Sequence, residues 1–204
     1  RTCPDGAECS SGRCGEPGDH VLACGTVTNQ IPHFLRGPAE GLVARDGCEP
    51  NAATQAVLVT WDDGTLDVER NPEPLRRYLR RGGNVIAHCR NSLRMATVLA
   101  DITGFFHFGR CDGGVSSVQP NLRFSADDPL WRQVDFEPPE APGEAGDSLS
   151  GIPGLTALGG WDESTTSLGY LKVGAGRLWL VQANWQGHFD MSEASRDLMA
   201  AMIM

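Results

Sequence analysis

No stretch of this chain approaches the ~20 consecutive apolar residues that a membrane-crossing helix requires, so the sequence offers no span. Positive charge is scarce too: 17 Lys and Arg stand against 26 Asp and Glu, a formal net charge of −9. Most of the cations are arginines, and no run of them is interleaved with aromatics. A nucleic-acid backbone or an anionic membrane surface therefore meets mostly repulsion, and neither is an expected partner. Internal repeats are absent. The chain begins at Arg1 rather than Met, the pattern of a processed or trimmed start.

What is present fits one large domain, or one domain with a small appendage. Its 204 residues are 40% hydrophobic and 21% charged, enough to bury a substantial core. Seven cysteines are the most informative residue type. Cys3, Cys9 and Cys14 crowd a segment too polar and Gly-rich to be held by burial, so it needs a covalent or metallic tie. The segment has no Cys-x-x-Cys pair and only His20 nearby, which argues for disulfides over zinc. Cys3, Cys9, Cys14, Cys24, Cys48 and Cys111 are the expected disulfide formers, with no metal and no cofactor. Oxidised cysteines imply an exported protein of the periplasm, cell surface or medium. An odd total leaves one thiol over when six pair.

Residues 1–19 read as a Cys-rich arm and residues 20–204 as an α/β domain. Val21, Leu22, Ala23 and Cys24, stopped by Gly25, suit a buried first strand. The unbroken apolar run 56–60 suits a parallel strand covered on both faces. Asn71 can cap a helix with Pro72 at its first position and Leu75, Tyr78 and Leu79 on one face. Arg76, Arg77, Arg80 and Arg81 lie toward its negative end, and Gly82 ends it. Residues 84–88 form the next strand, 92–102 a second helix stopped by Gly104, and 105–108 another strand. Such alternation predicts a doubly wound, mostly parallel sheet. Further on, 137–147 is a solvated Pro/Gly-rich loop. Residues 168–173 and 178–182 flank Gly174, Ala175 and Gly176 as a hairpin. A final helix starts near Ser192.

Cys89 stands between the 84–88 strand and a helix, the place of a nucleophile elbow, where the helix N-terminus favours a thiolate. His188 and Asp190 follow about a hundred residues later, in the order of a Cys-His-acid triad. Asp62, Asp63, Gly64 and Asn91 fall where the carboxyl ends of parallel strands form a ligand crevice. Structural readings stand beside each of these. Cys89 can be half of a disulfide, for example to Cys111. Asp190 with Glu193 can cap the last helix. Trp61-Asp62-Asp63-Gly64 can be a simple turn. His107 and Cys111 are too sparse for a metal site. Trp61, Trp161, Trp179 and Trp185 can be core rather than a sugar-stacking surface.

Residues 85–93, continuing to Gly104, resemble the nucleophile segment of the class I glutamine amidotransferase-like superfamily, and Gln186-x-His188-x-Asp190 is similar to its histidine segment. That resemblance implies a flavodoxin-like fold with Cys89 as nucleophile, His188 as base and Asp190 as its orienting partner. Ala87 and Asn91 replace the two elbow glycines, and Asp190 stands where the family has Glu. Residues 75–86, 128–130 and 173–181 resemble the exported, ThuA-like branch, in which the nucleophile is usually absent. The arm's C-x5-C-x4-C spacing resembles short Cys-rich modules of exported myxobacterial proteins. Two readings follow: a non-catalytic binding or structural module, whose partner is another exported protein or a small polar ligand, and a Cys-dependent hydrolase or amidotransferase-like enzyme.

Overall fold

The computed structural model describes residues 9–10, 13–14, 18–25, 31–59, 61–88, 90–104, 118–136, 148–182 and 192–204, and the counts below are of those residues. In the arm, Cys9–Ser10 (β1) pairs antiparallel with Arg13–Cys14 (β2), which brings Cys9 opposite Cys14.

Strands His20–Cys24 (β3), Val43–Asp46 (β4), Thr54–Val59 (β5), Asn84–His88 (β6), Leu122–Arg123 (β7), Thr156–Gly160 (β8), Leu168–Val173 (β9) and Gly176–Val181 (β10) form one eight-stranded sheet. Their spatial order is β4-β3-β5-β6-β10-β9-β8-β7. The five strands from β4 to β10 run parallel, and β9, β8 and β7 continue the sheet antiparallel. Every residue of β3, β5 and β6 is buried, which explains why these strands read as unbroken runs rather than alternating ones.

Period-two alternation divides their side chains between two helical layers. Val21, Ala23, Ala56, Leu58, Ile86 and Trp179 face helices Ile31–Phe34 (α1) and Glu193–Ile203 (α5). Leu22, Cys24, Val57, Val59, Val85 and Leu178 face Trp61–Arg70 (α2), Glu73–Arg80 (α3) and Arg90–Ala100 (α4). Each fully buried aliphatic side chain contributes about 1.5–3 kcal/mol of transfer free energy.

Several local expectations are corrected. Residues 61–64 are not a turn but the first turn of α2, and Gly64 shows why a glycine is needed there. A Cβ on it would overlap the backbone carbonyl of Cys24, so its absence lets α2 lie directly on β3. Asn71 does not cap α3. Pro72 takes the cap position without a side-chain hydrogen bond, and Pro74 occupies the first turn. The next helix begins at Arg90, two residues before Ser92. Asp190 is not the cap of α5. Ser192 is, its hydroxyl accepting from the Ser195 amide at 3.2 Å. Glu193 is then free to reach Arg36 at 2.8 Å. The expected strand at 105–108 lies outside the described residues.

The tryptophan question resolves toward the core at Trp161 and Trp179, which are buried; the Trp61 side chain and Trp185 lie outside the described residues. Trp131, buried in the short 3-10 turn Pro129–Arg132, donates its indole N–H to the Phe124 carbonyl at 2.9 Å. No described helix is long and apolar enough to cross a membrane.

Candidate functional site

Parallel strands followed by helices have a consequence at their carboxyl ends. Registry aligns Cys24 with Val59, Val59 with Ala87, and His88 with Val181, so β3, β5, β6 and β10 end along one edge. Helix α2 starts at residue 61 and α4 at residue 90, each two positions after its strand ends, so both N-termini stand at that edge. Helix α5 adds a third. The Ile203 carbonyl at its far end accepts from the side-chain amides of Gln55 (3.3 Å) and Asn84 (3.5 Å), which lie at the opposite edge. Eleven residues span ~16 Å, which brings the start of α5 back to the carboxyl edge. Unsatisfied N–H groups and aligned peptide dipoles make such an edge favourable for negative charge or hydrogen-bond acceptors.

Buried polar side chains floor this edge. His88, Asn91 and Gln182 are each at most 4% exposed, and Ser92 is wholly buried. Ser92 ties the elements together. Its hydroxyl lies 2.9 Å from the Ala87 carbonyl and 3.2 Å from that of Val181, which share its proton, and it accepts the Val181 amide at 3.3 Å. One side chain in the first turn of α4 thus fixes that turn to both β6 and β10. The backbone N–H of Gln182 donates to the carbonyl of Ser167, the residue before β9, at 2.8 Å.

At the β3 end of the edge, Cys24 is bonded to Cys48, which follows β4. This confirms a disulfide at two of the expected cysteines. The sulfur of Cys24 lies 3.6 Å from the Gly64 carbonyl, so the bridge touches the first turn of α2. Gly25, immediately after β3, has φ 115°, a left-handed backbone that glycine adopts without strain.

Of the residues singled out from sequence, Gly64 and Asn91 are buried at this edge, in the first turns of α2 and α4. The backbones of Asp62 and Asp63 lie in the first turn of α2, and their side chains are outside the described set. Cys3, Cys89, Cys111, His107, His188 and Asp190 lie outside the described residues, as do the side chains of Cys9 and Cys14. His88, Ser92 and Gln182 were not singled out as site residues. Their signal is a polar residue closing an apolar strand or opening the next helix, within strands already expected to be buried. Among the described residues, no group of three or more His, Cys, Asp and Glu is placed to hold a metal ion.

The opposite edge has a different chemistry. There His20 is 1% exposed, with Nδ1 at 2.5 Å from the Asp19 carboxylate and Nε2 at 2.9 Å from the Thr54 hydroxyl. The hydrogen bond from His20, then the nearby Arg45, hold the Asp19 carboxyl below its ordinary range.

No family model matches the chain, and no curated protein matches it. Among solved structures the chain is similar to the exo-beta-1,4-mannosidase Op5Man5 from Opitutaceae bacterium strain TAV5, at 13% identity and a TM-score of 0.42. The likeness covers 82% of this chain and 31% of that one, so the chain spans about a third of the neighbour's length. A likeness that remote carries neither chemistry nor substrate across. The chain is a three-layer α/β domain with a mixed sheet and a disulfide at the carboxyl edge of its parallel half.

Proposed function

We propose that this chain is an exported, non-catalytic domain of the class I glutamine amidotransferase-like kind, close to the ThuA-like branch, that binds a small polar ligand or another exported protein at the carboxyl edge of its sheet. The carrying observation is the order of the parallel strands. Numbered among themselves, β4-β3-β5-β6-β10 read 2-1-3-4-5, the flavodoxin-like order, whose switch point lies between the first and third strands. Here that point falls between β3 and β5, where ligands enter open α/β sheets. Gly64 lies against Cys24 and Gly25 at the β3 side of this point, and the Cys24–Cys48 bridge ties β3 to β4 on the other side of the strand.

Three points favour a module over an enzyme. The covalent tie joins the carboxyl ends of β3 and β4 beside the crevice, a feature that fixes geometry for binding. Elbow glycines are replaced by Ala87 and Asn91, and Asn91 is buried within helix α4. An oxidising compartment, which the disulfide supports, exposes a catalytic thiolate to oxidation. The alternative is a Cys-dependent hydrolase using Cys89, His188 and Asp190. It is favoured by the chain position of Cys89, which follows the last residue of β6 and precedes the first of α4.

Activity separates the two. The purified protein is expected to release no ammonia from glutamine, and no phenol from an activated ester, beyond a Cys89→Ala variant. Turnover lost on that substitution would overturn the module reading.

A further inference from the structure

We propose that Lys172 and Arg177, paired across the β9–β10 hairpin at the amino edge of the sheet, bind a compact, doubly charged oxyanion: a phosphate group. The two residues lie directly opposite one another. Which kind of pair they form follows from the ladder. The Gln182 backbone N–H donates to the Ser167 carbonyl, so that opposed pair is hydrogen-bonded, and antiparallel pairs alternate between bonded and non-bonded. An odd number of steps along the same register, Lys172 and Arg177 are a non-hydrogen-bonded pair. In such a pair the Cα atoms approach to about 4.5 Å and the side chains stand closest. Both residues share the sheet face of Tyr170 and Trp179.

Two like charges at that position destabilise a hairpin, and an acid is the ordinary choice opposite a cation. Arg177 does not relieve the repulsion by swinging away. Its guanidinium lies over the rings of Tyr170 and Trp179, at 5.2 and 5.6 Å from their centroids, which holds it in place. No acid relieves it either, since neither residue forms an ion pair among the described residues. The acid that reaches Tyr170, Asp128, is already engaged by the Tyr170 hydroxyl at 3.0 Å and the Leu130 backbone N–H at 2.9 Å. Lys172 is exposed and Arg177 partly so, which leaves the pair open to a ligand. A local rule broken without internal compensation marks a place that something outside the fold completes.

Charge and size select the ligand. A phosphate group near neutral pH carries about −1.5 to −2 charges on three acceptor oxygens, enough to meet both cations at once. The planar guanidinium offers forked N–H donors to two of those oxygens, and the ammonium, a point charge, takes the third. A carboxylate, with one charge, leaves one cation uncompensated. A long polyanion would run from this pair onto the surface of a chain of net charge −9 and be repelled.

The test follows the Arg177 side-chain Nε–H signal of the isotope-labelled full chain by NMR, as inorganic phosphate replaces chloride at fixed ionic strength. A saturable shift is expected, and acetate should bind at least about fivefold more weakly. Lys172→Glu supplies the missing acid from within the hairpin. It should abolish the phosphate response and raise the thermal unfolding midpoint in chloride above that of wild type. Lys172→Thr, which keeps β propensity and removes the charge, should weaken phosphate binding about fivefold, and it serves if Lys172→Glu fails to fold. Arg132→Gln, a charge removed from the exposed 3-10 turn, should bind within about twofold of wild type. Absence of a saturable shift, a phosphate response unchanged in the Lys172 variants, or equal binding of acetate overturns the proposal.

Discussion

At the carboxyl ends of β3, β5, β6 and β10, the side chains of Asn91, Ser92 and Gln182 are buried and uncharged, and the N-termini of α2 and α4 stand along the same edge. A strand's length away, the amino ends meet a buried histidine hydrogen-bonded to Asp19 and a group of arginines. Both edges belong to one sheet, and the difference follows from chain direction. A parallel strand that hands on to a helix leaves unsatisfied N–H groups at its carboxyl end, and the returning helix leaves C-terminal carbonyls at the other. Polar but neutral groups suit the first edge and cations suit the second. The carboxyl edge therefore presents neutral polar groups within a rigid frame, and the amino edge presents cations at the surface.

That contrast predicts where substitutions hurt. Gly64→Ala should be the most damaging, since the new methyl meets the Cys24 backbone and not a movable side chain; a loss of about 3 kcal/mol is expected in urea unfolding. A value under about 1 kcal/mol would mean that α2 can lift from β3, and the tight carboxyl edge would be wrong. Replacing Cys24 and Cys48 together by Ala should cost about 3 kcal/mol, because their bond closes a loop of sequence separation 24 in the unfolded chain. Ser92→Ala removes a hydroxyl that serves two strands, with a loss of about 1–2 kcal/mol expected by the same measurement.

The smallest effect should come from the amino edge. Because its pKa is lowered in the folded state, Asp19 stabilises the fold fully above the ordinary carboxylate range, near pH 4. That contribution disappears as pH falls through the folded-state value. Asp19→Asn should flatten this part of the acid limb as pH falls below about 4. Parallel pH profiles for the two proteins would show that the His20–Asp19 contact carries no linkage.

The sequence made some elements plain and others not. The strand at 84–88 and the hairpin about Gly174 and Ala175 are where their residues say, because aliphatic runs and a glycine at positive φ are local signals. Helix α2 was hidden, since Asp-Asp-Gly reads locally as a turn while Gly64 is set by a neighbour 40 residues away. Edge strand β4, Val-Ala-Arg-Asp, lacks the apolar run because it is covered on one side only and stays largely exposed. The Cys24–Cys48 pairing depends on β3 and β4 lying side by side, which no spacing reveals. The candidate crevice was legible as a position along the chain. Its floor of His88, Ser92 and Gln182 was not, since a polar residue at a strand end looks the same whether solvent or protein lies beyond it.

One measurement goes directly to the central claim, that the carboxyl edge binds and does not catalyse. The native, unreduced protein is alkylated near neutral pH, and the modified cysteines are mapped by peptide mass spectrometry. The account predicts that Cys89 shows no rapid, selective labelling. Rapid, exclusive labelling of Cys89 would contradict it and make the thiol enzyme the better description.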